Sequence, residues 1–198
     1  MSQRELSVAL SDQHLKRLSQ CPPIEAISEL IWNSLDAGST NIWVDIHKTT
    51  TDGVEKIIIE DNGNGIESQT LDNAFGSLGL SPKSISNTNS RGKVVHGKLG
   101  EGRFRAYSLG NRVEWLSKDK SKKIVKIKGE LEKPRSFFIE PSAEKIKSTS
   151  GTKFTAYNGY GDKLRIPSTE AVVNKLIGIF APKLLSRFFV NQTFDAIV

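Results

Sequence analysis

The stretch "SELIWNSLDAGST", residues 28 to 40, carries acids and an amide at steps of three and four residues, which return to one face of a helix. Pro22 and Pro23 mark a start and Gly38 lies just past an end, so Ile24 to Ala37 read as a helix with Glu25, Glu29, Asn33 and Asp36 on one stripe. Three carboxylates and one carboxamide share that stripe, and the segment holds no lysine or arginine. Ile24, Ile27, Leu30, Ile31, Trp32 and Leu35 make most of the remaining circumference apolar. A mostly buried helix that stacks acids in this way needs positive charge from outside itself.

Three further stretches carry chemistry in outline. In "EDNGNGI", residues 60 to 66, Asp61 ends an apolar strand and Gly63 and Gly65 bracket Asn64. That arrangement presents one carboxylate to a flat hydrogen-bonding group with the backbone close by, although a plain Asn-Gly turn between strands reads the same way. In "GKLGEGRFRA", residues 97 to 106, glycines 97, 100 and 102 precede a helix, either as an anion site made of backbone N–H groups or as a softened loop. "SGTKF", residues 150 to 154, places a Gly-Thr at the start of a strand.

The elements that must position these groups alternate along the chain without repeats. "ELSVAL" reads as a first strand, "SDQHLKRLSQ" as a short helix, and "NIWVDIHK" and "EKIIIED" as strands around the turn "TTTDG". Gly76 to Leu99 lacks periodicity and forms a long irregular loop, which in a compact domain is expected to be functional or disordered. "GEGRFRAYSLG" reads as helical, and "RVEWLSK", "KKIVKIKGE", "SFFIE" and "GTKFTAYN" read as consecutive strands. "STEAVVNKLIGIFAPKLLSR" is expected to be a long helix bent or interrupted at Pro182, with "FFVNQTFDAIV" opening another strand. Together these predict an α+β sandwich in which helices cover one face of a mixed, mostly antiparallel sheet.

Composition sets the outer bounds. The 198 residues, 37% hydrophobic and 25% charged, suit a single domain, 1–198. The chain stops in what reads as paired backbone, so Val198 is expected to mark the limit of the first domain of a longer protein. One cysteine, Cys21, excludes an internal disulfide framework. Neither a signal peptide nor an apolar run of membrane-spanning length is present, which predicts a cytoplasmic or nuclear protein with no membrane partner. The net charge of +6 favours polyanions in general. The lysines concentrate in "SKDKSKKIVKIKGE", which alternates like a solvated hairpin and carries no aromatic platform for bases.

Order and spacing single out one family. The chain resembles the GHKL ATPases, which include gyrase-type topoisomerases, heat-shock chaperone ATPases, histidine kinases, MutL and MORC proteins. "ELIWNSLDAGST" is similar to their Glu-x-x-x-Asn motif, "DNGNGI" to their Asp-x-Gly-x-Gly adenine motif, "GKLGEG" to the glycine motif after the ATP lid and "SGT" to the last Gly-Thr. MutL, MORC and chaperone-type members are the nearest likeness.

The resemblance implies a Bergerat-fold two-layer sandwich with ATP and magnesium as cofactors. Glu29 would be the catalytic base and Asn33 the magnesium ligand; Asp36 would either hydrogen-bond around the nucleotide or support the motif. Asp61 would read the adenine amino group, with Gly63 and Gly65 giving close approach and Thr152 completing the pocket. Gly100, Glu101 and Gly102 would offer backbone N–H groups to the phosphates, with charge from Lys98 or Arg103. Residues 76 to 99 would be the ATP lid, and nucleotide-dependent homodimerisation would follow its closure. Two departures stand out: the glycine motif continues with Arg103 and Arg105, and no second domain supplies a lysine to the γ-phosphate, which predicts slow turnover. The alternatives are a switch that binds ATP or ADP without hydrolysis and a basic nucleic-acid module, the latter acting through the full-length protein. A P-loop enzyme is excluded because G-x-x-x-x-G-K-[ST] does not occur.

Overall fold

The structure, a computed structural model, describes residues 3–7, 11–67, 71, 75, 101–159 and 164–189. The chain divides into two units, 1–165 and 166–198. Among its described residues the first holds seven strands: β1 (Arg4–Ser7), β2 (Ile42–Lys48), β3 (Val54–Asp61), β4 (Arg112–Lys118), β5 (Ile124–Glu130), β6 (Ser136–Pro141) and β7 (Gly151–Tyr157). Their order across the sheet is β1-β6-β5-β4-β7-β3-β2, and all six described pairings are antiparallel. The same unit holds α1 (Asp12–Ser19), α2 (Pro23–Asp36) and α3 (Gly102–Arg105), the last running into a 3-10 turn at Ala106–Ser108. The second unit is described through one helix, α4 (Thr169–Phe189).

Alternation along the strands builds the core. Register places Ile57, Ala156, Val113, Gly129 and Phe137 in one row across β3, β7, β4, β5 and β6, with Ile59, Phe154, Trp115, Ile127 and Ile139 in the next. The side chains in both rows are buried, as period-two patterning requires of the covered face of a sheet. Phe137 is the hub, with ring centroids of Phe75 at 5.3 Å, Phe104 at 6.0 Å and Tyr107 at 6.4 Å. Ile27 of α2 and Phe104 of α3 are fully buried, each contributing about 1.5–3 kcal/mol over an exposed position.

α2 begins with Pro23 at its first turn, where a missing N–H costs nothing, and ends at Asp36 before Gly38 with φ of +79°. β4 and β5 form the expected hairpin. Its lysines lie among acids: Lys126 pairs with Glu114 at 3.9 Å and with Glu144, and Lys128 pairs with Glu140. That is the behaviour of a solvated sheet face rather than of a cationic patch.

The expected mostly antiparallel sheet is present: all the described pairings are antiparallel. Two expectations change. α4 runs through Pro182 to Phe189, so the strand expected from Phe188 begins inside a helix; its remainder lies outside the described residues. Gly102 opens α3 rather than preceding it. The segment 76–99 also lies outside the described residues, as do Lys98 and Gly100.

Candidate functional site

Asp61 is the last residue of β3 and is buried. Its Oδ1 accepts from the backbone N–H of Gly63 at 2.8 Å and of Thr152 at 3.3 Å. Oδ2 accepts from the Ser34 hydroxyl at 3.0 Å. The single hydroxyl proton of Ser34 also lies 3.1 Å from Leu30 O, but the charged acceptor makes the stronger bond. Each carboxylate oxygen has two lone-pair sites, so Oδ1 is filled and Oδ2 retains one.

This cluster depends on close backbone approaches. Gly151 has φ of +142°, and a Cβ there would fall 2.0 Å from Asp61 O, so only glycine lets β7 start against the end of β3. Gly65, with φ of +70°, packs against β4, where a Cβ would meet Lys118 O at 2.2 Å. Below it, Ser117 Oγ accepts from Ile66 N at 2.8 Å and lies 3.0 Å from Thr152 Oγ1. Ser150 donates to Gly63 O at 2.8 Å and Asn64 N to Ala37 O at 3.0 Å, which ties the turn to β7 and to the end of α2.

Glu29 and Asn33, one turn apart on α2, are partly exposed and face the start of α3. A Cβ on Gly102 would lie 3.0 Å from Glu29 Cγ, 3.3 Å from Asn33 Nδ2 and 3.4 Å from Glu29 Oε1. The glycine therefore lets α3 close directly onto both side chains. Among the described residues, no basic side chain forms an ion pair with Glu29.

Positive charge reaches the stripe from α3. Arg105 lies 3.8 Å from Glu25 Oε2 and 3.3 Å from Glu101 Oε2. The other Glu101 oxygen is 3.1 Å from His14 Nε2 on α1. Arg103 is buried with its guanidinium 4.8 Å above the Phe104 ring; burial lowers its pKa to about 10, with Tyr107 opposing. Cys21 is half-buried against Ser108 Oγ at 3.4 Å, and burial is the main cause that pushes its thiol up.

The residues singled out from sequence thus fall into two groups. Asp61, Gly63 and Thr152 meet in one, Glu29, Asn33 and Gly102 in the other, and α2 joins them. Asp36 closes α2 and is partly buried. Gly65 supports the first group from β4, and the Glu101 side chain turns toward α1 and Arg105. Sequence reasoning missed Ser34, Ser117, His14 and Arg105. Ser34 had a signal: it falls on the apolar stripe of Ile27 and Leu30, where a hydroxyl must find a buried partner.

The site thus joins an acidic helix, a held aspartate at a strand end and a short helix opened by a glycine. Residues 22–153 match the family of histidine kinase-, DNA gyrase B- and HSP90-like ATPases, and the chain belongs to that family. ATP is the ligand that membership implies. The chain is 40% identical over 90 residues to the DNA mismatch repair protein MutL of Colwellia psychrerythraea, covering 45% of this chain and 12% of that protein. MutL of Lactobacillus acidophilus is 39% identical over 71 residues, 36% of this chain and 11% of that one. MutL of Actinobacillus pleuropneumoniae is 28% identical over 153 residues, 67% of this chain and 24% of that one. The chain therefore spans between 11% and 24% of these relatives. Among the described residues no helix is long and apolar enough to cross a membrane.

Proposed function

We propose that the domain binds ATP with magnesium and hydrolyses it slowly within a larger machine of the DNA-repair type. The observation that carries this is the junction at α2: Gly102 closes on Glu29 and Asn33 from one side, while Ser34, one residue on, grips Asp61 from the other. The MutL likeness supports the class of machine.

Asp61 Oδ2, with one acceptor site left, takes the adenine amino group, which a guanine replaces by a carbonyl; ATP is therefore preferred to GTP. Thr152 holds the opposite oxygen and sets the orientation of the carboxylate. Glu29 accepts a proton from the water that attacks the γ-phosphate, releasing ADP and phosphate. Asn33 would hold magnesium through its amide oxygen. Among the described residues no cluster of three or more His, Cys, Asp or Glu side chains is placed to cage a metal, which fits an ion held by one or two protein groups and the phosphates. When bound, magnesium neutralises phosphate charge. Lys98, Gly100, the Glu101 backbone and Gly102 line the phosphates, and residues 76–99 close over them as a lid, favouring a homodimer. Cytoplasmic residence follows from the same reading.

Calorimetry tests the base assignment. Asp61→Asn presents an amide donor to an amino donor and is expected to weaken ATP binding by about 1–3 kcal/mol. Equal affinity in wild type and variant removes the assignment. For the lid, a non-hydrolysable ATP analogue is expected to protect 76–99 from protease and to shift protein toward dimer; cleavage unchanged at saturation refutes closure.

A further inference from the structure

We propose that His14 is a positioning residue for hydrolysis, acting through Glu101 to hold α3, and with it Gly102, against the Glu29 side chain. The role presupposes hydrolysis at Glu29.

Phe104, fully buried, anchors α3 in the core, but the start of the helix needs support of its own. The helix has four residues and one following 3-10 turn, and no side chain caps its start; so short a helix is not stable by itself. Its first hydrogen bonds run from Phe104 N and Arg105 N to the carbonyl of Glu101, at 2.9 and 3.2 Å. Whatever fixes Glu101 therefore steadies the first turn of the helix. Two side chains grip its carboxylate, and they are not equivalent. Arg105 lies four residues on in the same short element and moves with it, whereas His14 belongs to α1.

α1 is an independent anchor. Ser11 caps its start by accepting from His14 N, and Leu15 and Leu18 are buried. The imidazole is also oriented. Arg17 lies 3.2 Å from His14 Nδ1, and since a guanidinium can only donate, Nδ1 accepts and the ring proton of the neutral tautomer resides on Nε2. Nε2 then donates to Glu101 Oε1 at 3.1 Å. The chain of contacts runs from Arg17 through His14 and Glu101 to the helix opened by Gly102, whose missing side chain leaves room for Glu29 Cγ. A displacement of α3 by a fraction of an ångström changes the space in which the Glu29 carboxylate sits. The Asp61 cluster shares none of these bonds, so reading of the adenine base is untouched.

The test compares wild type, Glu29→Ala, His14→Ala and His14→Gln, the last keeping an amide donor near the position of Nε2. His14→Ala is expected to lower kcat about threefold to tenfold with the calorimetric preference for ATP over GTP unchanged, and His14→Gln to restore most of the rate. Hydrogen exchange on nucleotide-free protein gives a readout apart from activity: the Phe104 and Arg105 amides are expected to exchange faster in His14→Ala and at the wild-type rate in His14→Gln. A wild-type kcat in His14→Ala, or a glutamine variant no better than alanine, overturns the role. Hydrolysis that survives Glu29→Ala overturns the catalytic assignment and this role with it; wild-type rates in His14→Ala beside an inactive Glu29→Ala overturn this role alone.

Discussion

The two halves of the site are built on opposite principles. Around Asp61 every bond is short and inward: two backbone N–H groups and one hydroxyl hold the carboxylate, and glycine at 151 admits the neighbouring strand to 2.0 Å of where a Cβ would be. Around Glu29 the described approach is steric, made by Gly102, and among the described residues no basic side chain pairs with Glu29. A recognition group gains from being fixed before its ligand arrives, because the ordering cost is then met in folding. A base that must accept a proton from water gains from remaining accessible and unneutralised. The same helix serves both, with Ser34 facing the sheet and Glu29 and Asn33 facing α3.

The sharpest way to separate the halves is Glu29→Ala. It is expected to cut hydrolysis by about 10²–10⁴-fold while leaving calorimetric ATP affinity intact; parallel loss of both would mean that the halves are one unit. Gly151→Ala attacks the fixed half. With a backbone clash and φ of +142°, it is expected to lower unfolding free energy by more than about 2 kcal/mol in denaturant titration, with nucleotide binding falling as well. Ser34→Ala is milder. Removing one of the three donors to Asp61 is expected to weaken ATP binding by about 1 kcal/mol and to narrow the preference for ATP over GTP, with kcat at saturation unchanged.

The smallest effect lies under the accessible half. The Tyr107 hydroxyl is buried without a hydrogen-bond partner among the described residues, and its pKa is raised from 10.0, by burial first and Glu130 second. A raised folded-state pKa means that Tyr107 contributes stability in full below pH 10, which is lost as pH climbs through the higher folded value. Tyr107→Phe removes an unsatisfied hydroxyl, so stability at neutral pH is expected to stay level or rise by up to about 1 kcal/mol, and the alkaline loss to be shallower in denaturant titrations.

Much of this was legible in the residues because it depends on local spacing. α2 follows from Pro23, Gly38 and an apolar period, and the β4–β5 hairpin follows from alternation around Asp119 to Lys123. The pairing of Glu29 with Asn33 and the strand-end position of Asp61 are consequences of those elements. What was not legible depends on chain crossing. Nothing local says that β7 lies between β3 and β4, which is what delivers Thr152 N to Asp61. Arg105 lies about 80 residues from Glu25, so the counter-charge expected from outside α2 came in part from another helix. The long helix expected across Pro182 is present, but it runs on to Phe189, so the strand expected from Phe188 failed at its first residues.

The strand order has a consequence for the life of the chain before it is complete. β7, the last of the described strands along the chain, is a wedge inside the sheet, hydrogen-bonded to β3 on one side and β4 on the other. Until residue 157 has left the ribosome, those two strands have no partner on the edges that will face each other, and the carboxylate of Asp61 lacks the amide of Thr152. Contacts spanning some 90 residues also slow folding once the chain is complete. A nascent chain halted before Gly151 therefore displays two open strand edges that other chains can pair with, and capture of nucleotide waits until the wedge is in place.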